Sequence, residues 1–292
     1  MKNSDKLGYI LSKKRLDSFF IKILKSKGLD EELLLDIADL LVEQGANAFV
    51  DKEIISLVAK NGYFKVVKYL IEKGGKVHSE LINLAIKNCQ IDVAEYLIAK
   101  NPKAVFEDYT IIYSAINIGC AKIVKMILDI PQSKEFLHMG YLTSVITTHQ
   151  VDVFDLLIKY VEEHNLVDAE QTYCLELAIK EHQFYMLKKL IDLGVNITDE
   201  VLFYSIEHNS YDSFKYILSK KEFSIDVISS AIVKACNRHW INTNIVSDLL
   251  KKPHYKKCII DSKKNIKKNR KKQWVSSAIK SMNTAIKLLK KR

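Results

Sequence analysis

The chain has 292 residues, 48% of them hydrophobic and 27% charged, proportions that suit a globular protein with one large domain or two smaller ones. Its 9 glycines and 3 prolines are too few to punctuate a strand-rich sandwich or barrel, so an all-α fold is expected. The net charge of +10 is uneven: Lys251 to Arg292 hold sixteen bases against Asp261 alone, a net +15, and leave −5 on the residues before them. A mildly acidic body and a strongly basic end predict two regions, 1–250 and 251–292.

No apolar run approaches the ~20 residues needed to cross a bilayer. Charges throughout Met1 to Phe20 leave no apolar core for a signal peptide. The expected location is the cytoplasm, or the nucleus if the basic run acts as an import signal. Cys89, Cys120, Cys174, Cys236 and Cys258 form an odd set with no C-x-x-C pair, which predicts free thiols acting as packing residues.

In chain order, the first predicted element pair spans Leu16 to Asn47 and ends on ADLLVEQGAN. A ten-residue block then recurs: GYFKVVKYLI from Gly62, CQIDVAEYLI from Cys89, GCAKIVKMIL from Gly119, HQVDVFDLLI from His149, HQFYMLKKLI from His182 and NSYDSFKYIL from Asn209. Steps of 27, 30, 30, 33 and 27 separate the starts, so the block is constant and the connections vary. Inside each block apolar residues fall at helical spacing, for example Phe64, Val67, Leu70 and Ile71, or Val151, Phe154, Leu157 and Ile158. Upstream of each lies a shorter stripe, such as Ile54, Ile55 and Val58, or Leu81, Leu84 and Ala85. Each unit therefore reads as helix, tight turn, helix.

The unit boundaries expected from this pattern lie near 16–47, 51–77, 78–104, 108–130, 139–163, 171–197, 198–222 and 225–250, the last stretched by RHWINTN. The turn position holds Gly62, Cys89, Gly119, His149, His182 or Asn209. Glycine and asparagine tolerate the left-handed conformation that ends a helix, so a C-cap is predicted there. The recurring histidines are read as turn residues rather than ligands, because a repeat spaces them apart.

The pattern resembles the ankyrin repeat, whose A-x-x-x-G-H-x-x-V-V-x-x-L-L-x-x-G consensus is matched by Val58, Gly62, Val66, Val67, Leu70, Ile71 and Gly74. The endings ADLLVEQGAN and KKLIDLGVNI agree with it as well. The resemblance covers roughly Leu16 to Leu250 and implies a helical solenoid of about eight units that binds another protein on its concave face. No unit opens on T-P-L-H, and steps of 27 are shorter than usual, so reduced β-turn fingers are expected. Contacts then shift to the inner helices or to the connections Pro131 to Gly140 and Val161 to Glu170. Similar short-period, Lys-, Ile- and Asn-rich ankyrins occur in large DNA viruses and intracellular bacteria, which implies an effector that sequesters or recruits a host factor.

The residues just before each turn differ between copies and border the concave face in ankyrins. Lys60, Asn61, Lys87, Asn88, Asn117, Thr148, Lys180, Glu181, Glu207 and His208 are therefore the candidate partner contacts, against the plainer reading of solvated helix ends. Catalysis finds no support: G-x-S-x-G, a phosphate-cradling glycine loop and H-E-x-x-H are all missing from the sequence, and neither an enzyme nor a cofactor is expected. Cys236 and His239, with His254 and Cys258, approach zinc-finger spacing, but an intervening helix and the commonness of Cys as an apolar filler weigh against a metal.

In the tail, KKNIKKNRKK includes Lys263, Lys264, Lys267, Lys268, Arg270, Lys271 and Lys272, a run suited to nucleic acid or an acidic partner, or simply to solubility. Trp274, Ala278, Met282, Ala285, Ile286 and Leu289 follow at helical spacing. They predict a basic amphipathic helix that caps the solenoid or lies on a membrane surface or nucleic acid. A nucleic-acid or anionic-membrane binder driven by this tail is the alternative function.

Overall fold

The structure, a computed structural model, describes residues 13–25, 30–43, 52–136, 140–167, 171–236, 244–245 and 248–249. Among these residues every regular element is helical and no strand forms. The chain divides into two compact units, Met1–His138 and Met139–Arg292.

The first unit holds α1 (Lys13–Lys25), α2 (Glu31–Glu43), α3 (Lys52–Asn61), α4 (Phe64–Glu72), α5 (Ser79–Lys87), α6 (Ile91–Lys100), a 3-10 turn (Pro102–Glu107), α7 (Thr110–Asn117), α8 (Ala121–Leu128) and the short α9 (Ser133–Phe136). First helices stack on first helices, α1 on α3, α3 on α5 and α5 on α7; second helices do the same through α2, α4, α6 and α8. Two parallel layers result, and the apolar stripe of each helix faces the other layer. No single pair could bury its own stripe, so stacking supplies the core.

The second unit repeats this arrangement. It holds α10 (Gly140–Thr148), α11 (Val151–Glu163), α12 (Tyr173–Lys180), α13 (Phe184–Leu193), α14 (Asp199–Glu207), α15 (Tyr211–Lys220) and α16 (Ile225–Cys236). Here α10, α12, α14 and α16 form one layer and α11, α13 and α15 the other.

The buried set within a second helix is displaced from the expected stripe, and Ile71, expected in it, is only half-buried. Val66, Val67 and Leu70 are buried in α4, and Val153, Phe154, Leu157 and Ile158 in α11. Phe64 and Val151, both expected in the stripe, lie instead on the shoulder; Val151 is 43% exposed. Two residues are 200° of helix, so the third block position cannot share a face with the fifth. The small residues Val58, Ala85, Ala115, Val145, Ala178 and Ser205 are all fully buried.

Side-chain caps start several helices where the connection ends. The carboxylate of Asp30 accepts from Leu33 N at 3.1 Å, and Nδ1 of His78 from Leu81 N at 3.3 Å. The connections are short coils or helical turns. Pro131 to Gly140 contains α9, and α11 runs to Glu163, so the second connection begins at His164 rather than at Val161. Cys174 is buried as expected of a packing residue, but Cys89 is exposed and Cys120 intermediate. Cys89 occupies a turn, where its side chain leaves the core. The tail expectations, its basic residues and its amphipathic helix, lie outside the described residues.

Candidate interaction surface

The candidate contacts are organised by six copies of one turn. Each first helix ends with a residue of positive φ: Gly62 at 79°, Cys89 at 58°, Gly119 at 68°, His149 at 58°, His182 at 54° and Asn209 at 53°. The amide after it donates back to the small buried residue, as in Tyr63 N to Val58 O (3.1 Å), Gln90 N to Ala85 O (2.9 Å) and Gln183 N to Ala178 O (2.8 Å). The amide of the positive-φ residue itself donates to the next carbonyl, as in Gly62 N to Ala59 O (3.3 Å) and His182 N to Ile179 O (3.1 Å). This pair of bonds is the Schellman motif, and it satisfies carbonyls that a helix end would otherwise strand. The two residues just before the left-handed one are thereby held at the helix rim with fixed backbones.

Those rim positions carry the predicted contacts. In the first unit Lys60, Asn61, Lys87 and Asn117 are exposed and Asn88 is half-buried. Asn61 Nδ2 donates to Leu24 O across to α1 at 3.0 Å, and Asn88 Nδ2 turns back onto Leu84 O at 2.8 Å. These two amides are spent in part on the fold, whereas Lys60 and Lys87 project outward. In the second unit Thr148 Oγ1 donates to Ser144 O at 2.9 Å, closing on its own helix. Glu181 lies between Lys180 (3.8 Å) and Nε2 of His149 (3.7 Å). Glu207 receives Lys234 from α16, and the His208 ring lies 4.5 Å from that of Tyr204. Each unit thus brings its own predicted residues into one row of helix rims. The first row is basic and amide-rich, and the second is mixed in charge with histidines.

Two exposed aromatics escaped the sequence reading. Tyr109, next to the start of α7, is 72% exposed, and Tyr173, the first residue of α12, is 62% exposed. Both sit at the opposite ends of first helices, where a finger would join. Periodicity hides them, because a solvent-facing tyrosine breaks no apolar pattern. Phe106 and Phe136 stack at 4.9 Å where the 3-10 turn meets α9.

Between the rims, adjacent first helices are tied by buried polar contacts. Asn83 of α5 is 6% exposed; its Nδ2 donates to Thr110 Oγ1 (2.6 Å) and to Asp108 (3.2 Å), and its Oδ1 accepts from Ser114 Oγ (2.7 Å). Burial pushes the Asp108 carboxyl up, but the hydrogen bonds from Thr110 and Asn83 outweigh it and hold this group below the usual carboxylate range. In the second unit the opposite occurs at Glu176 of α12, raised by burial and then by the neighbouring charge of Glu200.

The second-helix layer is stitched in a register of its own. Lys122 Nζ lies 2.5 Å from Glu95, Tyr185 OH donates to Asp155 at 2.8 Å, and Tyr216 OH to Asp192 at 2.6 Å, each spanning one repeat. Lys122 and Tyr185 hold the same fourth block position and reach the seventh of the repeat before, whereas Tyr216 reaches back from the eighth.

Among the described residues no group of three or more His, Cys, Asp or Glu could hold a metal ion. Cys236 closes α16, while His239, His254 and Cys258 lie outside the described residues, as do Lys263, Lys264, Lys267, Lys268, Arg270, Lys271 and Lys272. No described helix is long and apolar enough to cross a membrane.

Residues 55–136 match the family model for ankyrin repeats, in three copies. No curated protein matches the chain. With the helix pairs stacked as above, the fold is an all-α, ankyrin-type helical repeat solenoid, an architecture that serves in general as a scaffold for protein–protein interaction.

Proposed function

Because residues 55–136 match ankyrin repeats, we propose that the protein is a non-enzymatic scaffold that recognises a partner protein through first-helix rims, of which each unit carries its own row. The observation that carries this is a contrast. Six turns share one backbone conformation and one pair of hydrogen bonds, while the side chains beside them vary from Lys60 and Asn61 to Glu207 and His208. A constant frame with a variable display suits recognition of another macromolecule, and an open layer is a poor enclosure for a small substrate. Lys60, Lys87 and Lys180 are exposed to a partner, and Tyr109 and Tyr173 supply exposed aromatic area of the kind that anchors interfaces. The reading needs no cofactor and places the protein in the cytoplasm, or in the nucleus through its basic run. It extends to capture of a host factor by an effector.

The test is affinity capture with two variants of the full chain. One carries Lys60→Glu, Lys87→Glu and Lys180→Glu; the other carries glutamine at Lys263, Lys264, Lys267, Lys268, Arg270, Lys271 and Lys272. The scaffold reading expects a discrete protein, identified by mass spectrometry, that the rim variant loses and the tail variant keeps. Recovery of nucleic acid or anionic vesicles instead, lost with the tail charges and falling steeply with salt, would replace this reading by that of a tail-driven binder.

A further inference from the structure

The first second-helix of the solenoid has a face that its later copies cover. Aligned on the shared ending, Leu40 of α2 takes the block position held by Tyr69, Tyr96 and Tyr216 in later repeats. For Tyr96 and Tyr216 the position packs against an aromatic ring of the repeat before. Phe64 meets Tyr96 edge-on at 5.8 Å, and Phe184 meets Tyr216 at 5.9 Å. Leu40 itself is 59% exposed, and Leu33, seven residues earlier on the same face, is 50% exposed.

The opposite flank of α2 is already engaged. Lys65 N donates to Glu31 at 2.6 Å, Lys65 Nζ reaches Glu32, and Tyr69 OH donates to Asp39 at 2.5 Å, all from α4. The leucine seam therefore looks away from the stack. It is bordered by carboxylates: residues 30–43 hold six acids and no base, and Asp36 and Glu43 lie beside the seam, Glu43 near enough to α4 for its charge to reach Tyr69.

An apolar seam at seven-residue spacing accepts a helix with apolar residues at i, i+3, i+4 and i+7. The charges select among such helices. A second copy docked by the same face would set two acid-rich helices against each other, and a neutral helix would bury Asp36 and Glu43 without counter-charge. A polyanion is repelled. We propose that this exposed face of α2 is a docking surface for a basic amphipathic helix of a partner protein, with its apolar side on Leu33 and Leu40 and its lysines or arginines on Asp36 and Glu43.

The test measures fluorescence anisotropy of the labelled peptide LKKLLKLLKKLLKL, with LEELLELLEELLEL as its acidic counterpart, against the full chain. The lysine peptide binds and the glutamate peptide does not. Leu33→Ser with Leu40→Ser weakens binding about tenfold or more, from lost apolar burial. Asp36→Lys with Glu43→Lys does the same and admits the glutamate peptide, which keeps the proposal testable if the serine variant fails to fold. Unchanged affinity in both variants overturns the proposal. It is also overturned if binding appears only after deletion of residues 1–12 or of the basic tail 251–292, since the chain's own segment would then be the occupant. Dimerisation abolished by Leu40→Ser overturns it in favour of a second copy.

Discussion

Phe184 of α13 meets Tyr216 of α15 edge to face, with 5.9 Å between ring centroids and 88° between planes. Phe64 and Tyr96 reproduce the contact in the first unit at 5.8 Å and 82°. The third block position of one repeat thus touches the eighth of the next, on the shoulder of the layer rather than in its core. Such pairs contribute about 0.5–1.5 kcal/mol beyond the area they bury. A double-mutant cycle with Phe184→Leu and Tyr216→Leu, read by urea unfolding, is expected to show coupling in that range. Additive single mutants would mean that the contact is only proximity.

The left-handed turns make a prediction of opposite signs. A non-glycine residue there is strained by roughly 1–2 kcal/mol, so His149→Gly and His182→Gly are expected to raise the melting temperature. Gly62→Ala and Gly194→Ala should lower it, the first more than the second. Both positions have positive φ, but a Cβ at Gly62 would also run into the carboxamide of Gln90, whereas Gly194 has nothing near it. Equal losses at the two glycines would remove Gln90 from the explanation.

Asn83 is the most connected buried polar side chain of the first-helix layer. Asn83→Leu leaves Ser114 and Asp108 short of partners and is expected to cost about 1–3 kcal/mol in denaturant unfolding. The Asp108 carboxyl is held below its ordinary range, so the stability it contributes is complete above the unfolded carboxylate's titration and is lost as pH falls through the lowered value. Asn83→Leu should therefore also flatten the acid limb of the stability profile. An unaltered limb would sink the assignment of that hydrogen bond.

Glu176 carries the reverse sign. Its carboxyl is raised by burial and by Glu200, so the stabilising contribution exists below the unfolded titration and is lost as pH rises through the raised value. At neutral pH the charge is a cost. Glu176→Gln is expected to stabilise the chain there and to lose that advantage in acid as the wild-type carboxyl protonates. A benefit that persists unchanged in acid would point to packing instead.

Much of this was legible in the chain. The period, the helix pairing and the position of the left-handed residue follow from spacing alone, because a helix with one buried stripe must place its apolar residues at three and four and must end where the backbone can turn. All six turn residues, histidines and cysteine included, adopt that conformation. Spacing misplaces the buried stripe at Phe64 and Val151, since a shoulder and a core position both look apolar in sequence. The residue type of Cys89 suggests packing because cysteine is so often buried; the turn overrides the type.

What the sequence alone determined is the unit: its two helices, the small residue where they close, and the turn between them. These are local, set by side-chain spacing and φ preference. Only the tertiary structure decided which exposed residues matter to a neighbour. Asn83 is an ordinary helix residue until Ser114 and Asp108 are set around it, and Asn61 is a free amide until Leu24 O comes within 3.0 Å. Leu40 shows the same dependence from the other side. At its block position Tyr96 and Tyr216 each meet a ring of the repeat before, whereas Leu40 stands 59% exposed, because a helix leaves a position open wherever its neighbours bring nothing against it.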